Sequence, residues 1–217
     1  MGQDAGASLL THIRDEGLER TDPSVRLYRT RQRQDFHTDG SDIVGLLCLH
    51  QAKSGGQSRI ASPYAVYNQI LRQRPDLVEV LYAPMYRDRN NEQPEREDPF
   101  FAMPVFNDIS GTPRVFFIGW YIRDAQRHPQ APRLTGEQLE ALDIIEAIAN
   151  DPEFYLEMEF EPGDIQLISN AKILHSREAY EDYDDPDRRR HLLRLWLTAH
   201  DFTSVEEVLR GGIPQRT

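Results

Sequence analysis

The 217-residue chain has a single cysteine, Cys48, and only two lysines, Lys53 and Lys172. One cysteine excludes an internal disulfide and every multi-cysteine zinc or iron–sulfur site, so a metal here must be held by His, Asp or Glu. No run of 18 apolar residues occurs, which argues against a transmembrane helix. The opening MGQDAGASLL lacks the basic and apolar regions of a secretory signal, so the expected location is the cytoplasm. Positive charge is also in short supply: 25 Lys+Arg stand against 36 Asp+Glu, a formal net charge of −11. Nucleic-acid backbones and anionic membranes call for clustered positive surface, so neither is expected as a partner.

What is present suits one globular domain over residues 1–217. Hydrophobic residues make up 39% and aromatics 9%, well above a disordered acidic chain. At this length roughly 70% of the unfolded surface can be buried, so the core needs no disulfide or structural metal. Almost all the basic residues are arginine, a side chain suited to bidentate grips on carboxylates, although composition bias explains most of the skew.

Along the chain, residues 8–19 read as a short helix stopped by Asp22-Pro23, and residues 25–33 read as extended. The run 43–49 reads as a buried strand, Ser54-Gly55-Gly56 as a turn and 58–61 as a short strand. Ser62-Pro63 signals a helix start for residues 64–72, with a second short helix after Pro75. Residues 87–99 read as a polar loop before a strand at 100–106, and residues 108–113 turn the chain into 114–120 to make a hairpin. Thr135 and Gln138 resemble a capping box opening a helix to residue 149, with Leu139, Leu142, Ile145 and Ile148 as its core stripe. Residues 154–160 alternate as a half-exposed strand, 165–168 form another, 178–189 an acidic loop and 191–200 a last strand. Short strands divided by Gly/Pro/Asp turns favour an antiparallel sandwich or barrel with helices packed outside. That leaves function open, since a double-stranded β-helix, a jelly-roll lectin and a lipocalin-like carrier would all fit such architecture.

In extended chain, residues two apart share a face, so His37 and Asp39 of Phe36-His37-Thr38-Asp39-Gly40 can present an imidazole and a carboxylate to one point. His175 is the best candidate for a third ligand, because it follows a strand and a turn. Two histidines and one carboxylate form the facial arrangement that suits Fe(II), with positions left open for a cosubstrate and O2. An isolated H-x-D is weak evidence, since such tripeptides arise often by chance. In the last strand, alternation puts Arg190, Leu192, Arg194, Trp196 and Thr198 on one face and His191, Leu193, Leu195 and Leu197 on the other. The leucines read as the core face. The arginine face then either lies exposed against the acidic residues 181–187 or lines a lumen where a guanidinium grips a carboxylate. His12, His50, His128, His191 and His200 read as structural or solvated, Cys48 as an inert core residue, and Trp120, Tyr121 and Trp196 as core or pocket border.

Together, His37-Thr38-Asp39, Ser54-Gly55-Gly56-Gln57-Ser58, His175 and Arg190-His-Leu-Leu-Arg194 resemble the TauD/TfdA-like family of Fe(II)- and 2-oxoglutarate-dependent oxygenases, over residues 8–201. The resemblance implies a mainly β fold with flanking helices: a double-stranded β-helix, or jelly roll, with helices packed on the major sheet. It implies His37, Asp39 and His175 as catalytic iron ligands, and Ser58 and Arg190 as partners of the distal carboxylate of 2-oxoglutarate. Arg194 would assist the cosubstrate or hold an anionic group of the substrate. The implied reaction hydroxylates or desaturates a small, anionic organic substrate, consuming O2 and releasing succinate and CO2. Retention of Asp39 argues against halogenation. Family members carry on the order of a hundred residues before H-x-D, whereas 36 precede His37 here, so part of the usual N-terminal region is expected to be lacking. A homo-oligomer or a partner chain would then cover that side. A lid is expected at 87–99 or in the acidic loop. Two other readings keep the same residues: a non-catalytic jelly-roll small-molecule binding protein, and a zinc hydrolase using the His/Asp/His set.

Overall fold

The computed structural model describes residues 3, 8–93, 97–109 and 112–199. The chain begins with β1 (Leu10–Ile13), β2 (Gln34–His37), β3 (Ile43–His50), the two-residue β4 (Ser54–Gly55) and β5 (Ser58–Ala61). Helices α1 (Pro63–Gln73) and α2 (Pro75–Tyr82) follow, then β6 (Met85–Asp88), β7 (Phe100–Met103), β8 (Phe106–Ile109) and β9 (Thr112–Val115). After α3 (Gly119–Asp124) and α4 (Gly136–Ala149) come β10 (Tyr155–Met158), β11 (Ile165–Ser169), β12 (Leu174–Arg177), β13 (Tyr180–Glu181) and β14 (His191–Leu197).

Two four-stranded antiparallel sheets organise these elements, in the orders β1-β14-β3-β11 and β10-β5-β12-β2. Residues of both sheets line a shared inner cavity: Ile13, Val44, Leu46 and Leu192 from the first, His37, Ser58 and His175 from the second. The helices cover the opposite face of the second sheet, where Phe36, Ala61 and Leu174 join one core with Val66, Ile70, Leu77, Leu142 and Ile145. This is the expected mainly β jelly-roll core with helices packed on one sheet. Among the described residues no helix is long and apolar enough to cross a membrane.

Local chemistry explains the helix starts. Ser62 Oγ accepts the Ala65 N–H at 3.3 Å and Pro63 supplies the first helical residue of α1. At α4 the capping box is complete: Thr135 Oγ1 accepts the Gln138 N–H at 3.1 Å, and Gln138 Oε1 accepts the Thr135 N–H at 3.0 Å. Leu142, Ile145 and Ile148 are buried as expected, whereas Leu139 lies exposed.

Several expectations are corrected. Residues 10–13 form a strand and not part of a helix, because Leu10 to Ile13 pair antiparallel with Leu195 to Leu192 of β14 and tertiary pairing outweighs weak local preference. On β14 the leucine face expected in the core turns outward, and of the two readings of the arginine face the lumen-lining one holds. Arg190, Leu192 and Arg194 are buried while Leu195 and Leu197 are exposed, beside outward-facing Leu10, Ile165 and Leu167 of the same sheet. Alternation defines two faces, but both sets here are partly apolar, and the partners of the arginines decide which one turns inward. Arg87 and Asp88, expected in a loop, are fully buried in β6. Arg87 donates from Nη1 and Nη2 to the carbonyls of Met85, Met103, Pro104 and Phe116, so backbone satisfies both terminal nitrogens, while its Nε has no partner. The second hairpin strand ends at Val115, and Trp120 lies on α3. Within the acidic segment, Tyr180 is buried and β13 pairs with β4. His200 lies outside the described residues.

Replacing Thr135 with Ala removes one half of the capping box, an expected loss of about 1 kcal/mol. For a chain of this size that lowers the thermal unfolding midpoint by about 2–4 °C. Calorimetry showing an unchanged midpoint would argue that the cap contributes nothing.

Candidate metal centre and its flanking cavities

His37 closes β2 and His175 lies on β12, and the two residues are direct cross-strand partners. Their rings stand 4.2 Å apart between centroids. Asp39, two residues beyond the strand end, brings its carboxylate to the same point: Oδ1 lies 3.8 Å from His37 Nε2 and Oδ2 lies 3.8 Å from His175 Nε2. One donor atom from each of the three falls within 4.8 Å of the others, and all three residues are buried. The structure thus brings together the three residues that the sequence pattern singles out.

The turn carrying Asp39 is clamped by Asn170, just after β11. Asn170 Oδ1 accepts the Asp39 N–H at 2.7 Å, while its Nδ2 donates to the carbonyls of Asp39 at 2.6 Å and Ser41 at 2.7 Å. Thr38 is fixed from the other side, its N–H donating to the Phe117 carbonyl at 2.8 Å and its Oγ1 accepting the Phe117 N–H at 3.0 Å. His37 Nδ1 donates to the Asp35 carbonyl at 2.8 Å, a contact that assigns the proton to Nδ1 and leaves Nε2 as the donor atom facing Asp39. Gln34 Nε2 contacts that Nε2 at 3.0 Å. On Asp39 Oδ2, Trp196 Nε1 donates at 3.0 Å and Arg194 Nη1 at 3.3 Å.

Burial pushes His37 below its ordinary value, with Asp39 and the Asp35 carbonyl opposing. Burial likewise carries His175 down to about 3, helped by repulsion from His37 and Arg194 and opposed by Asp39. For Asp39 burial favours the neutral acid, but Arg194, the two histidines and the Trp196 N–H together hold it at about 2. The site at neutral pH is therefore two neutral imidazoles and one carboxylate, the protonation state a divalent cation requires of its ligands.

Two cavities meet here. The inner one, between the sheets, is lined by Ser58, Arg177, Arg190 and the triad. The outer one, about 170 Å³, is bordered by Trp120, Tyr121, Trp196, Arg20 and Arg26. His37, Asp39, Gln34 and Arg194 line both. Arg190 is buried with its Nη1 unpaired, and it passes close to Gly56, where a Cβ would stand 3.1 Å from Arg190 Nε. Gly56 has φ +77°, so a side chain there would be strained as well as crowded. Arg194 is instead engaged with Asp39 and with Gln3 Oε1 at 2.8 Å. Arg20 and Arg26 pair with Asp124 and Glu92.

The model of the taurine catabolism dioxygenase TauD, TfdA family matches residues 4–196. The chain belongs to the TauD/TfdA family. It is 35% identical over 208 residues to FR-33289 synthase of Streptomyces rubellomurinus, covering 93% of this chain and 60% of that protein. It is 37% identical over 166 residues to a taurine hydroxylase-like protein of Stachybotrys chartarum, covering 74% of this chain and 41% of that one. This TauD/TfdA chain therefore spans less than two thirds of either relative. Its fold is similar to that of asparagine oxygenase in complex with Fe(II), 2S,3S-3-hydroxyasparagine and succinate, at TM-score 0.67 and 19% identity over 88% of this chain and 57% of the other.

Asn170, Thr38 and Arg177 were not anticipated from the sequence of this TauD/TfdA chain. Arg177 had a usable signal, since it stands two residues after His175 on a strand and so shares its face. Asn170 and Thr38 act through contacts more than 70 residues away in sequence, which local pattern does not reveal.

Below about pH 6.5 the unfolded chain binds protons at both histidines that the folded chain refuses. Stability of the metal-free protein is therefore expected to fall as pH drops below about 6.5, for His175 by up to about 1.4 kcal/mol per pH unit down to about 3, with His37 acting in the same direction. Urea unfolding between these limits should show the slope reduced by about one proton in His175→Gln. An unreduced slope would contradict a neutral, buried His175.

Proposed function

We propose that this chain is an Fe(II)- and 2-oxoglutarate-dependent oxygenase that hydroxylates a small organic molecule. The observation that carries this reading is the convergence of His37, Asp39 and His175 donor atoms within 4.8 Å, on the wall of a cavity that also holds Arg190, whose Nη1 is unpaired. Two imidazoles and a carboxylate suit Fe(II) and leave coordination positions open, so the donor chemistry fits the metal. Iron with 2-oxoglutarate supplies the oxidation: O2 is consumed, one oxygen goes to the substrate carbon and the other to succinate as CO2 leaves.

The chain's own residues do the positioning. Arg190 offers a charge-assisted contact for the distal carboxylate of the cosubstrate, and Ser58 on the opposing sheet offers a hydroxyl to the same cavity. Asn170 and Thr38 fix the backbone of Asp39, and Trp196 and Arg194 orient its carboxylate. Trp120, Tyr121 and Trp196 border the outer cavity, where they exclude water from a bound substrate. Since His37, Asp39 and Arg194 line both cavities while His175 lines the inner one, cosubstrate and substrate would approach the metal from different sides, with Arg194 suited to an anionic group on either. A zinc hydrolase built on this triad would leave Arg190 buried without an anion, which disfavours that reading.

Anaerobic addition of Fe(II) and 2-oxoglutarate is expected to produce the visible metal-to-ligand charge-transfer band of the chelate. His37→Ala and His175→Ala should abolish it, and Arg190→Ala should raise the 2-oxoglutarate concentration for half-formation by about 10–100-fold, the loss of a charge-assisted contact. Iron binding with no band at any 2-oxoglutarate concentration would overturn the assignment.

A further inference from the structure

The inner cavity holds a second arginine besides Arg190. Arg177 is 6% exposed and Arg190 5%, and both line the cavity with Ser58 and His175. Among the described residues neither lies within ion-pair distance of a carboxylate. Arg177 uses Nη2 alone to hold the carbonyls of Leu27, Thr30 and Gln32, leaving Nε and Nη1 without a partner. Arg190 Nη1 is unpartnered as well. Arg87 makes the contrast: its Nε is also unpaired, but that buried arginine satisfies both terminal nitrogens with backbone carbonyls. One aromatic ring serves both cavity arginines, since Tyr180 has its centroid 5.1 Å from Arg177 Cζ and 5.0 Å from Arg190 Cζ. The ring face attracts each cation and softens their mutual repulsion, without neutralising either. Asp182 attracts Arg190 and Asp15 attracts Arg177, but neither carboxylate forms an ion pair with its guanidinium, so two buried positive charges with free N–H groups remain costly, and an anion entering the cavity lowers that cost.

Resting on the proposed cosubstrate assignment, we propose that Arg177 is a cosubstrate-binding residue: it forms with Arg190 a paired guanidinium cradle for the distal carboxylate, both backed by the Tyr180 ring. The cavity then selects for concentrated negative charge beside these two arginines. A dicarboxylate fits, and the corresponding monocarboxylic 2-oxo acid of the same length does not.

The test is the anaerobic Fe(II) titration with 2-oxoglutarate in the wild type, Arg177→Met, Arg177→Lys and Arg190→Met, with thermal melting as a check on folding. Arg177→Met is expected to raise the half-saturating concentration about tenfold or more, the loss of one charge-assisted contact. Arg177→Lys should recover part of it by retaining the cation. If Arg177 were only a backbone clamp for residues 27–32, Lys would fail as badly as Met. Half-saturation unchanged in Arg177→Met while Arg190→Met raises it would overturn the cradle. Equal loss in Met and Lys would also overturn it. If the wild type gave no charge-transfer band, the cosubstrate assignment would fail by itself. Glutarate added to the metal-free protein would still decide the cradle: a rise in melting temperature that is lost in Arg177→Met supports it, and a rise retained there overturns it.

Discussion

The pairing of β2 with β12 is the constraint on which the site depends. It sets His37 directly across from His175, so that two imidazoles share one point between the sheets. A one-residue slip in either strand would turn one of them toward the helices that now pack on Phe36 and Leu174. The helical layer therefore does more than cover a sheet: by burying Phe36 and Leu174 it holds the register that keeps both histidines on the cavity side. Asn170 and Thr38 then bring Asp39 to the same point by fixing backbone, leaving its side chain free to be oriented by Trp196 and Arg194.

Electrostatics divides the cavity into two regions. Around the triad, burial and neighbouring charge favour neutral imidazoles beside an ionised carboxylate. Elsewhere on its lining, Arg177 and Arg190 carry positive charge without an ion-pair partner among the described residues. A metal dication is attracted to the first region and an anion to the second, and the two regions lie on one wall-to-wall cavity. Such separation of ligand types within one enclosure positions a chelating dianion relative to its metal by charge alone.

Much of this was legible in the sequence, for identifiable reasons. His37 and Asp39 sit two apart at a strand end, and Arg190 and Arg194 share a face by the same two-residue period. Proline and serine marked α1, and the Thr135–Gln138 box marked α4, because those signals are local. The inside and outside of β14 were legible only as two alternatives. Leu193, Leu195 and Leu197 look like a core face, yet Leu195 and Leu197 are exposed, and only the long-range contacts of Arg194 with Asp39 reveal which side is in. For the same reason Asn170 escaped notice: its role rests on residues about 130 positions away. The strand at Leu10–Ile13 was hidden because its partner, β14, lies at the other end of the described chain.

The central claim is that His37, Asp39 and His175 form a metal site already in the protonation state that binding demands. Titration calorimetry with Co(II) at pH 7, repeated in buffers of different ionisation enthalpy, measures both the stoichiometry and the protons released. One ion per chain, bound with almost no proton release and lost in Asp39→Ala, is the expected result. Absence of binding, or release of a proton or more per ion, would contradict it.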